Sequence, residues 1–365
     1  MQTLQQKKLL GAGGGTGGHV LAGGAIAEGW AQKAQSSSSV LFVGARGGIE
    51  ERLVPKTPFA LRLLRVGSLN RVKVTRQLKT LFEIPWAMVV SLQILFQFRP
   101  HAVLGVGGYS SGPLVLMAAL LKKLGLLNCQ VAILEQNSVV GLTNRLLGRV
   151  VDSVFTAFPG MEPQFLGKKV IFTGNPIRSS MKQLPSAPRD PFTIFVFGGS
   201  QGARGVNRLV LEALPELKQV KRSIRFIHQS GQADFEEVLK AHQAAGMDSC
   251  VEKFIEDMPS AYAQASLLVC RSGASTLAEI AAVGRAAILV PLPTAADDHQ
   301  SKNACAYVQA GAAQLMDQRV GSGASLAQLI QDLMTRPDQI AAMERRVLEF
   351  YRPHAARDIV EHLYV

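Results

Sequence analysis

Two glycine clusters, each following a short apolar run, constrain the fold of this 365-residue chain more than any other feature. GGGTGGH at residues 13–19 follows Lys8-Leu9-Leu10, and GGSQGAR at residues 198–204 follows the stronger apolar run 192–197. Glycine lets the backbone turn tightly and bring its N–H groups close to an anion, and a following helix adds the positive end of its dipole. Two such loops, about half the chain apart, predict two nucleotide-type domains facing a shared cleft.

Short apolar runs alternate with helix-like segments along the whole chain, which predicts an α/β fold with two Rossmann-like domains separated by a deep cleft. The predicted strands are 40–43, 102–106, 131–134 and 153–157 in the first half, and 192–197, 224–228, 250–254, 267–270 and 287–291 in the second. The proline-rich stretch 185–191 places a linker near residues 174–190. We therefore expect an N-terminal domain at 1–178, a C-terminal domain at 179–352 and a last helix, 353–365, that joins the first domain.

Cysteine usage and the N-terminus favour a protein that stays in a reducing cytoplasm. The four cysteines show no CxxC pattern and no Cys/His spacing typical of a metal site, so neither a disulfide framework nor zinc is expected. Residues 1–10 lack the apolar core of a signal peptide, which predicts that the protein is not secreted.

The whole net basic excess lies in the first half of the chain. Residues 1–178 contain 20 lysines and arginines against 7 acidic residues, whereas the remainder has 19 against 20. Between Glu51 and Glu83 the only charged residues are Arg52, Lys56, Arg62, Arg65, Arg71, Lys73, Arg76 and Lys79. A block of this kind can face nucleic acid or an anionic membrane.

Residues 78–98 favour the membrane. They place aromatic and aliphatic residues at helical spacing beside this basic block, but they contain Pro85 and are too polar to span a bilayer. The basic and aromatic region 62–98 therefore predicts a surface-lying membrane contact. A core helix after a solvated basic loop is the alternative, and no motif supports nucleic-acid binding.

Five further segments follow in an order that resembles the MurG family of UDP-N-acetylglucosamine transferases. They are GVGGYSSGP (105–113), EQNSVVGLTN (135–144), TGNPIR (173–178), FIEDM (254–258) and RSGASTLAEIAAVG (271–284). The resemblance runs from about residue 9 to the end. It implies a GT-B fold with the acceptor on the N-terminal domain and the sugar nucleotide mainly on the C-terminal domain.

The resemblance also implies a reaction. N-acetylglucosamine would move from UDP-N-acetylglucosamine to the muramoyl 4-hydroxyl of undecaprenyl-linked lipid I, with inversion, to give lipid II for peptidoglycan. The protein would act peripherally at the cytoplasmic face of the inner membrane, and through the cell wall it would serve cell shape and division. The chain contains no Asp-X-Asp pair to hold a metal, so we expect no metal and no other cofactor.

Such a transfer needs a base on the acceptor hydroxyl. His19 directly follows the first glycine loop at a predicted helix N-terminus, where the dipole favours a neutral imidazole that can accept a proton. Positioned bases contribute roughly 10²- to 10⁴-fold. His19 is the candidate base, with a role in ordering the loop as its alternative. Glu135, at the carboxyl end of a predicted strand, is the rival base.

The resemblance assigns the remaining site residues. It implies that Arg178 and Ser200 contact the nucleotide and that Glu279 binds the ribose. A solvated linker arginine is the alternative for Arg178. The other implied contacts are Ile255, through its backbone, with uracil; Ala274, Ser275, Thr276, Leu277 and Ala278 along the diphosphate and sugar; Asn137 and Gln300 with N-acetylglucosamine; Thr16, Gly17 and Gly18 at the donor–acceptor junction; and Tyr109 on the acceptor side, with packing as its alternative role.

A few positions depart from the family pattern. Ala22 stands where the family usually has proline, and Leu134 stands where a histidine often occurs. Asp297 and Asp298 add negative charge near the expected sugar site. These departures are expected to affect the reaction rate and the details of acceptor recognition rather than the class of reaction.

Three other functions remain open from the residues alone. One is a different GT-B enzyme, such as a glycolipid glycosyltransferase or a UDP-sugar epimerase. Another is a dinucleotide oxidoreductase, which is disfavoured because GGGTGGH does not follow the G-x-G-x-x-G rhythm and no acidic residue about 20 positions later closes a second strand. The last is a catalytically silent scaffold that binds a UDP-sugar and a membrane.

Overall fold

The computed structural model describes residues 6–66, 74–165, 167–181, 183–188, 190–199, 202–220 and 223–365, without the side chains of 74–82. These residues divide into two compact units. Unit 1 runs up to Arg178 and includes Arg352–Val365, and unit 2 is Ser179–Tyr351.

Unit 1 contains seven strands and six helices in the described residues, besides short 3₁₀ turns. The strands are β1 (Leu9–Ala12), β2 (Val40–Ala45), β3 (Ala60–Leu64), β4 (Ala102–Gly105), β5 (Gln130–Glu135), β6 (Ser153–Thr156) and β7 (Lys169–Phe172). The helices are α1 (Gly17–Ala34), α2 (Glu50–Leu53), α3 (Val74–Phe98), α4 (Ser111–Lys123), α5 (Leu142–Leu147) and α13 (Ala355–Leu363), the last being numbered in chain order.

The strands of unit 1 form one parallel sheet in the order β3-β2-β1-β4-β5-β6-β7. Strands β1, β2, β4 and β6 are buried along their whole length, as expected where helices cover both faces of a parallel sheet. The core around them includes the fully buried Trp30 of α1.

Unit 2 repeats the same architecture. Its strands are β8 (Phe192–Phe197), β9 (Ile224–Gln229), β10 (Asp248–Glu252), β11 (Leu267–Cys270), β12 (Ala287–Leu289) and β13 (Gln314–Leu315). Its helices are α6 (Arg204–Leu217), α7 (Phe235–Ala245), α8 (Met258–Gln264), α9 (Ala274–Val283), α10 (His299–Gln309), α11 (Gly323–Thr335) and α12 (Pro337–Leu348). The parallel sheet has the order β10-β9-β8-β11-β12-β13.

The last helix, α13, belongs to unit 1. The Tyr364 ring lies 4.7 Å from the Trp30 ring, and Lys7 Nζ donates to the Tyr364 carbonyl at 2.8 Å. Arg352, which the sequence analysis assigned to the C-terminal domain, also belongs to unit 1. Its guanidinium lies 5.0 Å from the Phe172 ring, and its Cβ packs on Gly174, where an added Cβ would lie 2.4 Å away.

Each of the nine predicted strands overlaps a strand of the structure, with ends that differ by up to two residues. The apolar run 8–10 before the first loop corresponds to β1, and the prediction missed β3, β7 and β13. All three lie at a sheet edge and are partly exposed. Arg62 interrupts the apolar residues of β3, β7 begins with Lys169, and β13 has only two residues, so none gives a long apolar run.

Candidate functional site

In both units, the strand order reverses beside the first strand, and a glycine loop lies at that point. In unit 1, β2 lies on one side of β1 and β4 on the other; in unit 2, β9 and β11 flank β8. Loops that leave such neighbouring strands at their carboxyl ends diverge and open a crevice where ligands of α/β proteins bind. We call residues 13–19 the first loop and residues 198–204 the second loop.

The first loop leads directly into α1. Thr16 is the N-cap of this helix, and its Oγ1 accepts a hydrogen bond from His19 N at 3.4 Å. Gly17 and Gly18 are the first two helical residues, so both lie at the positive end of the helix dipole. The structure therefore gives Thr16 a capping role in addition to the predicted place at the substrate junction.

His19 is held by the loop that precedes it. Its Nδ1 lies 3.0 Å from the Gly14 carbonyl oxygen. A carbonyl oxygen only accepts, so this hydrogen bond puts the proton on Nδ1 and the lone pair on Nε2. Nε2 lies close to Gly107 in the loop after β4, because a Cβ on that residue would be only 2.7 Å from it.

The loop after β4 packs against the first loop backbone to backbone. Gly14 N donates to the Gly107 carbonyl at 3.2 Å, and a Cβ on residue 108 would lie 2.2 Å from the Gly14 carbonyl oxygen. Gly108 also has a φ of +86°, which few other residues adopt. Tyr109 is 36% exposed and its ring lies beside Gly15, at 3.9 Å from where a Cβ would stand. The predicted acceptor-side tyrosine thus borders the loop that carries His19.

Glu50 is a buried carboxylate beneath the first loop, and sequence reasoning missed it. Its Oε1 accepts from Ala45 N at 2.7 Å and its Oε2 from Gly15 N at 3.3 Å. It lies 35 residues from Gly15, so no local spacing links the two. The glycines around it, in GARGGIE as in the first loop, are the only trace of this contact in the sequence.

Glu135, the rival base, has its carboxylate occupied by hydrogen bonds. Oε1 accepts from Asn137 N at 3.0 Å and from Asn137 Nδ2 at 3.3 Å. Oε2 accepts from Gly141 N at 3.1 Å and from Asn144 Nδ2 at 2.9 Å. The side chain is 3% exposed. This geometry suits a carboxylate that shapes the 135–144 loop and sets the position of Asn137.

The second loop is described at residues 198–199 and 202–204, so the predicted nucleotide contact Ser200 lies outside the described residues. Gln229, which sequence reasoning also missed, joins this loop to the FIEDM segment. Its Nε2 donates to the Gly199 carbonyl at 2.8 Å, and its Oε1 accepts from Ile255 N at 2.9 Å. A uracil that accepts a hydrogen bond from the Ile255 N–H has to displace the Gln229 side-chain amide. The Ile255 carbonyl is a separate acceptor, which this hydrogen bond does not involve.

Arg178 is the last residue of the first stretch of unit 1 and is half-buried. It stands in the irregular segment after β7, at the point where the chain passes into unit 2. Its contact with the nucleotide stays a prediction.

The N-terminus of α9 carries the predicted diphosphate and sugar contacts. The first intrahelical hydrogen bond runs from Leu277 N to Gly273 O, so the helix itself offers no acceptor to the N–H groups of Ala274, Ser275 and Thr276. Such groups are suited to an anion. Leu277 is 1% exposed and packs in the core, whereas Ala278 is half-buried.

Glu279 lies one turn further along α9. It is 8% exposed, and Tyr262 donates its hydroxyl proton to Oε2 at 3.1 Å. A carboxylate can accept hydrogen bonds on both of its oxygens, which is the chemistry that a vicinal diol requires of its partner. Tyr262 is itself fully buried and fixes the carboxylate in place.

Gln300 and Arg271 brace the segment that follows β12. Gln300 Oε1 accepts from Leu292 N at 2.9 Å, and its carbonyl accepts from Ser272 Oγ at 2.8 Å. Arg271 Nη1 donates to the carbonyls of Val290 and Pro291, each at 3.0 Å. Burial lowers the pKa of the Arg271 guanidinium to about 10, and these two carbonyls replace water as its hydrogen-bond acceptors. Gln300 therefore lies where the RSG and PLP segments meet.

Among the described residues, no group of three or more His, Cys, Asp or Glu side chains is arranged to hold a metal ion. Likewise, none of the helices in the described part of the chain is long and apolar enough to cross a membrane.

Unit 1 exposes apolar side chains on three consecutive helices. Trp86 and Val89 of α3 are 60% and 44% exposed, and on the opposite side of the same helix Ala87 and Leu95 are fully buried. Further exposed apolar residues are Leu120, Leu124 and Leu126 at the end of α4, and Leu142, Leu146 and Val150 on and after α5. In the described side chains of residues 83–98, one face of α3 is thus buried, as the core-helix alternative expects, and the other is exposed. The predicted basic residues Arg71 and Lys73 lie outside the described residues.

Comparison with known families gives two matches that together cover most of the chain. Residues 9–156 match the glycosyltransferase family 28 N-terminal domain, and residues 193–363 match the glycosyltransferase family 28 C-terminal domain.

Individual relatives extend over nearly the full length. The chain is 43% identical, over 97% of its length and 91% of the relative's, to a Myxococcus xanthus protein named UDP-N-acetylglucosamine--N-acetylmuramyl-(pentapeptide) pyrophosphoryl-undecaprenol N-acetylglucosamine transferase. A Syntrophus aciditrophicus protein of the same name is 42% identical, with 97% of each chain covered. Among solved structures, Acinetobacter baumannii MurG matches with a TM-score of 0.78 and 32% identity, covering 98% of this chain and 99% of that one.

Proposed function

The chain belongs to the MurG family within glycosyltransferase family 28, and on that premise we propose that it moves N-acetylglucosamine from UDP-N-acetylglucosamine to N-acetylmuramyl-(pentapeptide) pyrophosphoryl-undecaprenol. This is the conversion of lipid I to lipid II in peptidoglycan synthesis. The match to named transferases over 97% of the chain carries the proposal. It disfavours the oxidoreductase and the epimerase, which perform other reactions on related folds.

We infer that His19 is the base. The proton of the muramoyl 4-hydroxyl passes to Nε2, the hydroxyl oxygen bonds to the anomeric carbon, and the bond from that carbon to the diphosphate oxygen breaks. UDP departs with the bonding electron pair. The hydrogen bond from Nδ1 to Gly14 supports this role because it leaves the lone pair on Nε2. The four hydrogen bonds to Glu135 favour a positioning role for that residue.

The donor is assigned to unit 2. The N–H groups at the start of α9 meet the diphosphate together with Ser200, and the developing charge is stabilised without a metal. Glu279 accepts the ribose hydroxyls, Ile255 contacts uracil and Gln300 contacts the sugar. Arg178 and Asn137, both in unit 1, keep the contacts with the nucleotide and the sugar that the family resemblance implies. The acceptor is assigned to the crevice of unit 1 beside Gly17, Gly18 and Tyr109.

A transfer assay tests this function directly. Purified protein is mixed with labelled UDP-N-acetylglucosamine and a lipid I analogue, with and without EDTA, and the disaccharide product is measured. We expect equal product formation in both mixtures. Absence of transfer by folded protein would contradict the transferase, and loss of transfer with EDTA alone would contradict the metal-free stabilisation of UDP.

We also infer that unit 1 binds peripherally to the cytoplasmic face of the inner membrane. The exposed apolar residues of α3, α4 and α5 lie near basic residues that include Lys123, Arg145 and Arg149. Apolar groups and cations side by side suit an anionic bilayer surface, where each basic residue contributes about 1 kcal/mol.

Binding to vesicles that contain anionic lipid tests the membrane contact. Replacing Arg71, Lys73, Arg76 and Lys79 by glutamine is expected to weaken partitioning at least about tenfold, given about 1 kcal/mol per basic residue. Val320→Ser in unit 2, where Val320 is 86% exposed, is the control and is expected to bind as the wild type does. Unchanged partitioning of the fourfold variant would remove the basic region from the membrane contact.

A further inference from the structure

One peptide group in the first loop is hydrogen-bonded at both of its ends. The carbonyl oxygen of Gly14 lies 3.0 Å from His19 Nδ1, and the N–H of Gly15 points to Glu50 Oε2 at 3.3 Å. The carbonyl of residue 14 and the N–H of residue 15 belong to the same planar amide. His19, one amide and Glu50 therefore form a continuous chain of hydrogen bonds.

The burial of Glu50 makes this chain more than a surface contact. The side chain is 1% exposed, and its second oxygen accepts from Ala45 N at 2.7 Å. Both partners are N–H donors, which suits an ionised carboxylate because that group only accepts. A buried charge of this kind is tolerated only where hydrogen bonds replace its water.

Three of the backbone positions that approach the Glu50 side chain are glycines. A Cβ on residue 14 would lie 1.9 Å from Oε1, one on residue 44 would lie 2.3 Å from Cγ, and one on residue 48 would lie 2.5 Å from Cδ. The first loop and the segment 44–48 thus close around the Glu50 side chain and leave no room for another position of it. Its carboxylate is held against the amide rather than left mobile.

We propose that Glu50 is a positioning residue for His19 that acts through the Gly14–Gly15 peptide. The negative charge at the N–H end polarises the amide and makes its carbonyl a stronger acceptor. The carbonyl in turn holds the His19 proton on Nδ1, aims Nε2 and stabilises the imidazolium that forms when the acceptor hydroxyl gives up its proton. The role of Glu50 in turnover rests on the proposed function of His19 as the base, whereas the hydrogen-bonded chain itself does not.

A double-mutant cycle tests the kinetic part, with Glu50→Gln, His19→Ala and the combination of both. Glutamine keeps the size of the side chain but has one acceptor oxygen for two N–H donors. Loss of the carboxylate that orients a catalytic histidine costs up to about 10⁴-fold in a serine protease triad, and a contact through one amide is expected to give at least about tenfold in kcat. KM for UDP-N-acetylglucosamine is expected to stay within about twofold.

The combined variant separates a relay from a merely structural role. If Glu50 acts through His19, adding Glu50→Gln to His19→Ala changes kcat by less than about twofold, since coupled residues are not additive. Multiplication of the two single effects would overturn the proposal. Glu51→Gln is the matched control, because the neighbouring carboxylate bonds a different loop amide, Gly47 N, at 2.8 Å. It is expected to keep wild-type kcat.

A spectroscopic measurement tests the relay without activity. The chain has seven histidines, and ¹⁵N-labelled histidine spectra assign His19 by its loss in His19→Ala. We expect the Nδ1–H tautomer in the wild type and in Glu51→Gln, and a shift towards Nε2–H in Glu50→Gln. An unchanged tautomer in folded Glu50→Gln would overturn the relay, whereas full turnover of His19→Ala would overturn only the base. If Glu50→Gln does not fold, Glu50→Asp, whose carboxylate is one methylene too short to reach Gly15 N, carries the same expectations.

Discussion

The two glycine loops occupy the same position in two sheets of the same topology, yet their surroundings differ in kind. Ionisable side chains bracket the first loop, with His19 at its end and Glu50 beneath it. In the described part of the second loop, neutral side-chain amides contact the backbone, while the last residue, Arg204, lies 4.0 Å from the Asp234 carboxylate. Gln229 donates to Gly199, and Asn207 donates to the Ser230 carbonyl at 2.8 Å, next to Gly202.

This difference teaches that a glycine loop after a parallel strand is a scaffold whose chemistry is set by what packs under it. A loop supported by a carboxylate and a histidine is suited to moving a proton. In the described residues 198–199 and 202–204 of the second loop, no backbone N–H donates to a carboxylate as Gly15 N does to Glu50, which suits a bound anion. The duplicated fold therefore supports two different tasks.

The largest expected effect is on the first loop. His19→Ala is expected to lower kcat at least about tenfold, since positioned general bases contribute roughly 10²- to 10⁴-fold, while the affinity for UDP stays nearly unchanged. The measurements are steady-state turnover with the lipid I analogue and calorimetric titration with UDP. Equal turnover would pass the base role to Glu135 or another group.

The reciprocal variant in unit 2 sharpens the same contrast. Glu279→Gln keeps the hydrogen bond from Tyr262 within reach but removes the charge that we propose receives the ribose hydroxyls. We expect it to raise KM for UDP-N-acetylglucosamine more than it lowers kcat. A fall in kcat at constant KM would erase the distinction between a proton-transfer unit and a donor-binding unit.

The fold and the order of the site segments could be predicted from the sequence because both depend on local patterns. Interior strands such as β8 are continuous apolar runs, and the glycine loops follow them directly. Edge strands such as β3 and β13 are partly exposed; Arg62 interrupts the apolar residues of β3, and β13 has only two residues, so neither shows a continuous apolar run.

The supports of the site could not be predicted in the same way. Glu50 reaches Gly15 across 35 residues, and Gln229 reaches Ile255 across 26. Neither contact has a spacing that recurs in sequences, because tertiary packing alone brings these segments together. The position of Glu135 at a strand end, in contrast, was predicted. Its four hydrogen bonds were not, because they come from backbone and side-chain amide groups whose positions only the folded loop fixes.

The smallest expected effect concerns a neutral pair of histidines behind the second loop. His228 Nδ1 lies 3.1 Å from His242 Nε2, and His228 Nε2 lies 3.1 Å from Asn207 Oδ1, while Asn207 also donates to Asp234 at 2.9 Å. Burial, and then the charge of His242, lowers the pKa of His228 to about 3; burial lowers that of His242 to about 4. Both rings are therefore uncharged in the folded protein near neutral pH.

The sign of the pH dependence follows from these values. In the unfolded chain both histidines take up protons near their ordinary pKa of 6.5, whereas in the folded chain they do so only near 3 and 4. The unfolded state binds more protons between these limits, so the stability of unit 2 is full above pH 6.5 and falls as the pH drops below it. The slope is at most about 1.4 kcal/mol per pH unit for each histidine.

Urea denaturation at pH 7 and pH 5 measures this loss and separates the two units. Both tryptophans, Trp30 and Trp86, lie in unit 1, so fluorescence follows that unit, while far-UV circular dichroism follows both. We expect the dichroism transition of unit 2 to move to lower urea at pH 5, and His242→Gln, which removes one titrating ring, to reduce that movement by about half. A wild-type transition at the same urea concentration at both pH values, or a variant that keeps the full shift, would show that the histidine pair does not make the stability of unit 2 depend on pH. The contrast between the two loops would then rest on Glu50 and His19 alone.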